Sequence, residues 1–242
     1  VATDPTYRGQ GHARRLMEEL IAAMQAAGCR WSLLFTTANG FYAQLGWRTF
    51  ATRYRNGCLA PDIATQQTAY TVRQFAPQHE RDGWAVLERI YRAYNRQRPL
   101  TTLRNDSYWR TFAGLRFTLP QAQVSVAVER VTERVCGYIL AYVDAEAVAV
   151  IEAGVLDGHN LALDALLTAV RRAALSRGIR VGRIYLPVEP AIEAAIAANF
   201  ETIFEGTYQV LMGRPLAADY TMDAIEATFS APGAIAWPVD DF

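Results

Sequence analysis

One order of elements occurs twice in this chain, and it leaves few folds open. Ala13, Leu16, Met17, Leu20, Ile21 and Met24 recur at three- and four-residue steps, with Arg14, Arg15, Glu18, Glu19 and Gln25 on the opposite face. That period marks an amphipathic helix over 11–27, which stops at Gly28. The apolar run from Trp31 to Thr36 follows as a buried strand, then a brief helix at about 40–45. The same succession returns as helix 161–177, Gly178, strand 181–186 and helix 190–198, with Leu163, Leu166, Leu167, Val170 and Ala174 on the later stripe. Strands alternating with helices imply an α/β sheet covered by helices. The repetition reads as an internal duplication with its boundary near residues 72–80.

Between the copies, Trp47–Ala51 reads as a strand and 55–66 as a loop, marked by Asn56-Gly57 and Pro61-Asp62. Residues 68–73 return as a strand. A helix over 84–96 and a shorter one at 107–113 precede strands at 124–128, 136–143 and 147–155, and a last strand lies near 207–212. The expected division is 1–73, 74–216 and a C-terminal helix and tail over 217–242. The first copy lacks the opening strands and helices that the second has. The chain opens without an initiator Met on Val1-Ala2-Thr3, read as the end of a strand, so a missing N-terminus is expected.

Composition removes several classes of function. Hydrophobic residues make up 51% of the chain, enough for a substantial core. The formal net charge is +0 with both signs interspersed, which argues against a nucleic-acid partner. All 24 basic residues are arginine, a bias that genomic composition explains. Cys29, Cys58 and Cys136 are widely spaced and odd in number, so neither disulfides nor zinc are expected, and a reducing cytoplasm is the default. They read as small buried or half-buried residues. His12, His79 and His159 have no ligand spacing, so no metal is expected. No apolar run approaches the ~18–20 residues that cross a bilayer, so no membrane partner is expected.

The stretch from Thr3 to Ala13, TDPTYRGQGHA, reads as a pyrophosphate cradle. A Pro turn leads into Gly9 and Gly11, and the helix opens directly from them. Glycines permit close approach of backbone to a ligand, and the first helical turn has unpaired N–H groups. Such a helix start carries roughly half a positive elementary charge, which suits a phosphate. An ordinary loop-to-helix turn uses the same residues. A P-loop is set aside, because no Gly-Lys-Ser/Thr follows.

Arg8-Gly9-Gln10-Gly11-His12-Ala13 resembles the Arg/Gln-x-x-Gly-x-Gly/Ala acyl-CoA motif of the GNAT superfamily of N-acyltransferases. Phe41-Tyr42-Ala43-Gln44-Leu45-Gly46-Trp47 resembles that family's second signature, and one helix and one strand separate the two, as the family has it. The doubled order is similar to the tandem, Eis-like branch, with Arg98-Pro99, Arg104, Ser107 and Trp109 resembling the opening of its second unit. About 26 residues follow Leu216, too few for that branch's third domain. The resemblance implies two GNAT-like units, each a mixed, mostly antiparallel sheet flanked by helices, the first incomplete. In the second, Leu156-Asp157-Gly158-His159-Asn160-Leu161 lacks the cradle, so one cofactor site is expected.

By resemblance the cofactor contacts are Val1, Thr3, Arg8, Gly9, Gln10, Gly11, His12 and Ala13, with the diphosphate against the N–H groups of Gln10 to Ala13. Arg8 adds a guanidinium or is a solvated surface residue. The strand end at Val1–Thr3 pairs with the pantetheine arm, and an N–H at Val1 or Ala2 polarises the thioester carbonyl. Asn39 stands where the family often places a CoA-facing amide, and equally where a helix takes its N-cap. Tyr42 is the expected catalytic acid. A phenol with an ordinary pKa of about 10 is protonated at neutral pH and can donate to the departing thiolate. The carboxylate of Phe242 is the second catalytic candidate, since the resemblance brings a chain terminus to the active site; a frayed terminus is the alternative.

The function implied is transfer of an acyl group, acetyl from acetyl-CoA, to a primary amine on a small molecule or peptide. The protein is expected to be cytoplasmic and free of metal, with a homo-oligomer left open. A CoA-binding or scaffold protein without turnover is the alternative.

Overall fold

The computed structural model describes residues 1–61 and 68–240. Among these residues the fold is mixed α/β, with eight strands that pair mostly antiparallel and helices flanking them. Its described residues form two compact units, Val1–Thr52 with Thr207–Ser230, and Arg53–Gly206 with 231–240.

In the first unit α1 (His12–Ala26) leads to β1 (Trp31–Phe35), α2 (Asn39–Ala43) and the start of β2 (Arg48–Leu59). The end of β8 (Phe200–Pro215) pairs antiparallel with β1, from Trp31↔Pro215 to Phe35↔Leu211. Met17, Leu45, Trp47 and Met212 form the buried centre, with Ile21, Met24, Leu34, Phe41 and Tyr42 packed against it. The helix α8 (Met222–Ser230) lies on this unit through the fully buried Ile225. Gly213 lets it approach, because a Cβ there would sit 2.9 Å from Ile225 and 3.1 Å from Phe50. Phe50 stacks on Phe229 at 4.3 Å, and Arg48 pairs with Glu226.

The second unit is a ladder. Residues 55–58 of β2 pair antiparallel with β7 (Val181–Ile184), and β7 pairs parallel with β6 (Ala147–Val155). Antiparallel pairing continues through β5 (Val135–Val143) and β4 (Ala122–Glu129) to β3 (Tyr70–Gln74). The helices α3 (Gly83–Asn95), α6 (Asn160–Leu175) and α7 (Pro190–Asn199) join this core through Leu87, Ile90, Leu166, Leu167 and Ile196. A π-helical stretch over Trp109–Ala113 separates the short helices α4 (Asp106–Tyr108) and α5 (Gly114–Phe117).

As far as Asp240 the tail is packed and not frayed. Trp237 and Val239 are fully buried in the second unit, and Trp237 Nε1 donates to Asn95 at 3.1 Å. Arg104 holds Glu152 through two hydrogen bonds of 2.9 and 2.6 Å, and Asp240 through two of 2.9 and 3.0 Å. Tyr108 donates to Asp240 and Tyr138 to Glu152. Burial pushes the Glu152 carboxyl up, an effect the Arg104 guanidinium only partly offsets. Phe242 lies outside the described residues.

Several further expectations are corrected. Val1–Thr3 forms no strand, since a strand needs a ladder partner and these residues have none among the described ones. The loop expected over 55–66 is strand as far as Leu59. Asn56-Gly57 is not a turn: a Cβ at Gly57 would lie 3.1 Å from the Glu201 carbonyl, so the glycine admits a neighbouring chain. The 62–66 part of that loop lies outside the described residues. Pairing of residues 211–215 with β1 and of 55–58 with β7 is what groups distant segments into the two compact units. Cys29 and Cys58 are exposed, and only Cys136 is buried. On α1, Met17 is buried while Leu16 and Leu20 are 48% and 41% exposed, so only part of the expected stripe is covered. Among the described residues no helix is long and apolar enough to cross a membrane, and no three potential ligands cluster for a metal.

Replacing Arg104 strands two buried carboxylates. Arg104→Met is expected to lower stability by about 3–5 kcal/mol, read as a fall in the urea midpoint. Asp240→Asn leaves the Arg104–Glu152 pair in place and should cost less in the same measurement.

Candidate acyl-CoA site

The loop before α1 is built by short-range forces. Asp4 accepts from the Thr6 N–H at 2.9 Å and from its hydroxyl at 2.5 Å, closing a turn over the 3-10 stretch Pro5–Tyr7. The Thr6 hydroxyl, with the amide behind it, holds the Asp4 carboxyl below the usual range. Gly9 and Gly11 both have φ +77, a left-handed backbone that costs other residues roughly 1–2 kcal/mol. No atom lies within 4 Å of where either Cβ would stand, so conformation, not crowding, calls for glycine and the surface above is open.

Gly11 caps α1, and the first backbone bond of the helix runs from Arg15 N–H to the Gly11 carbonyl at 3.1 Å. The N–H groups of His12, Ala13 and Arg14 therefore have no backbone acceptor among the described residues. Arg8 Nε donates to the Thr3 carbonyl at 3.3 Å, which keeps that exposed guanidinium beside the loop. His12 Nε2 lies 3.3 Å from Gln10 Oε1, and Arg15 donates to the Gln10 carbonyl at 3.2 Å. These residues suit a diphosphate: free amides, open space and two guanidinium groups. Val1 is 60% exposed.

Arg14 ties this helix to the second motif by donating to Gln44 Oε1 at 3.0 Å. There Tyr42 is half-buried, with its ring edge-on to Phe41 at 5.0 Å and to Trp47 at 6.0 Å. Its hydroxyl makes no hydrogen bond among the described residues. The segment closes on itself: Leu45 and Trp47 donate to the Tyr42 carbonyl at 3.0 and 3.2 Å, and Gly46 to Ala43 at 3.1 Å. Asn39 is no N-cap, since Ala38 occupies that position. Its Nδ2 instead donates to Thr49 Oγ1 and to the Gln209 carbonyl, both at 2.9 Å, because the turn of α2 points the amide at β2 and β8.

Sequence reasoning missed Arg14, Arg15 and Arg214. The first two were legible as basic residues in the opening turns of the helix. Nothing local marks Arg214, which reaches this segment only through β8.

Residues 1–50 match the family model for an acetyltransferase (GNAT) domain. Both the cradle and the Tyr42 segment fall inside that match. No curated protein matches the chain. Among solved structures it is similar to a probable N-acyltransferase of unknown function from Enterococcus faecalis V583, at 16% identity and a TM-score of 0.65, covering 89% of this chain and 53% of that one. A GCN5-related N-acetyltransferase from Kribbella flavida is similar at 17% identity and 0.63, covering 89% and 50%. Eis1 from Mycobacterium abscessus is similar at 14% and 0.56, covering 96% and 57%. At these identities the likeness is one of fold, and the chain spans about half the length of these structures.

Gly46 sits at φ +90 with Arg214 Nε 3.1 Å from its Cβ position. Gly46→Ala is therefore expected to lose about 1–2 kcal/mol from backbone strain alone, measured by denaturant unfolding.

Proposed function

We propose that the chain is an acyl-CoA-dependent N-acyltransferase that moves acetyl from acetyl-CoA to a primary amine on a small molecule or peptide. The observation that carries this reading is the left-handed Gly9 and Gly11 at the open start of α1, inside the residues that match the acetyltransferase model. In this reading the diphosphate lies against the N–H groups of Gln10 to Ala13, with Arg8 alongside. The neutral amine attacks the thioester carbon, forming C–N as C–S breaks. The departing thiolate takes the phenolic proton of Tyr42, and water or a carboxylate takes the proton that the amine sheds. Tyr42 regains its proton from solvent. Its free hydroxyl supports this role, since no protein acceptor among the described residues competes for the proton.

The reading extends to two related units, of which the first is incomplete and holds the cofactor. In the second, Asp157 falls in the segment that corresponds to the cradle, where its charge would oppose a phosphate, and it stands 4.0 Å from Arg96.

The test is thiol release from acetyl-CoA with a panel of amines. Tyr42→Phe should lower kcat by about 10²-fold or more, the ordinary worth of a positioned acid. Acetyl-CoA binding without turnover above the Tyr42→Phe level would identify a CoA-binding protein instead.

A further inference from the structure

The C-terminal strand touches the Tyr42 segment at both ends. At its start, Asn39 Nδ2 places one hydrogen on the Gln209 carbonyl of β8 and the other on Thr49 Oγ1 of β2. Just before it, Thr36 N–H donates to the Val210 carbonyl at 2.7 Å, and Ala38 N–H to Thr36 Oγ1 at 2.9 Å. At its end, Arg214 of β8 lies over the Trp47 ring, 5.2 Å from guanidinium carbon to centroid, with Nε against Gly46. Trp47 in turn meets the Tyr42 ring edge-on.

The guanidinium is placed where its own solvation suffers. Nη1 is buried and has no hydrogen-bond partner among the described residues, and neither has Trp47 Nε1 beside it. Partial burial lowers the Arg214 pKa, and no carboxylate among the described residues pairs with it to restore it. A partly desolvated cation without a counter-ion among the described residues is unfavourable, and stacking on an indole returns only about 0.5–2 kcal/mol. Simple packing on Trp47 is served as well by an uncharged chain. What the guanidinium adds is a flat, rigid plate that closes one side of the Gly46–Trp47 turn.

We infer that Asn39 and Arg214 are positioning residues for Tyr42, so that β8 clamps the acid's short helix at both ends. A five-residue helix has too few internal bonds to hold a side chain in place by itself. The clamp supplies the missing constraint from strands that are already paired. Asn39 thus serves the acid and not the cofactor, contrary to the contact that the family resemblance implies. This inference rests on Tyr42 being the acid.

The experiment compares wild type with Asn39→Ala, Arg214→Met and Arg214→Lys in steady-state acetyl transfer and in amide hydrogen exchange. Loss of positioning should lower kcat by about tenfold or more in Asn39→Ala and Arg214→Met, with KM for acetyl-CoA within about twofold of wild type. Arg214→Lys should not restore kcat, because an ammonium provides charge without the plate. Exchange at Leu45, Gly46 and Trp47 should quicken in Arg214→Met, while amides in the middle of α1 keep their wild-type rates. Unchanged exchange at 45–47 overturns the clamp whatever the turnover. A KM for acetyl-CoA that rises in step with any loss in Asn39→Ala returns that residue to the cofactor. Should Arg214→Met fail to fold, Asn39→Ala and Arg214→Lys decide by the same measures. Wild-type turnover in Tyr42→Phe would instead defeat the acid assignment, and quickened exchange at 45–47 would still show the clamp.

Discussion

Antiparallel pairing between β1 and the last residues of β8 is the constraint on which the first unit depends. The ladder Trp31↔Pro215 to Phe35↔Leu211 brings Met212 into the small core under α1 and sets Gly213 beneath α8. The same strand carries the Gln209 and Val210 carbonyls that receive Asn39 and Thr36. Without it, α1 and α2 would have only Met17, Leu45 and Trp47 as a buried centre, too little apolar surface to offset the entropy of ordering them. The candidate site is thus local in its chemistry and nonlocal in its support.

The second unit solves a different problem. Its core is extensive, yet Arg104, Glu152 and Asp240 are buried together at its centre. One guanidinium facing two carboxylates is tolerable only because every partner is placed: four bonds from Arg104, with Tyr138 and Tyr108 completing the shell. That network fixes the tail as far as Asp240. Gly233 contributes in the same way, since a Cβ there would meet Glu189 and Arg98, the ion pair over which this stretch passes.

Much of this was legible in the sequence, for physical reasons. The stripes of α1, α3 and α6, and the apolar runs of β4 to β6, follow from periods that any folded chain must respect. The glycine turn before α1 was legible because left-handed backbone at a helix start selects glycine, as Gly9 and Gly11 show. What escaped was everything set by pairing at a distance. Asn56-Gly57 carries a turn signal, yet it lies inside β2 because β7 offers it a ladder. Asn39 carries a capping signal, yet its amide is claimed by a carbonyl 170 residues away. Arg214 carries no signal, being one arginine among many. The exposed Leu16 and Leu20 show the converse, a pattern that promises burial where the unit's small core does not reach.

A free helix start at residues 9–14 that holds the cofactor is the claim on which the functional reading turns. The direct measurement is amide hydrogen exchange with and without acetyl-CoA, alongside calorimetric stoichiometry. The account predicts one equivalent bound, with slowed exchange at Gln10 to Arg14 and none at 158–162, where the second unit lacks the loop. Absence of binding, or protection confined to the second unit, would contradict it.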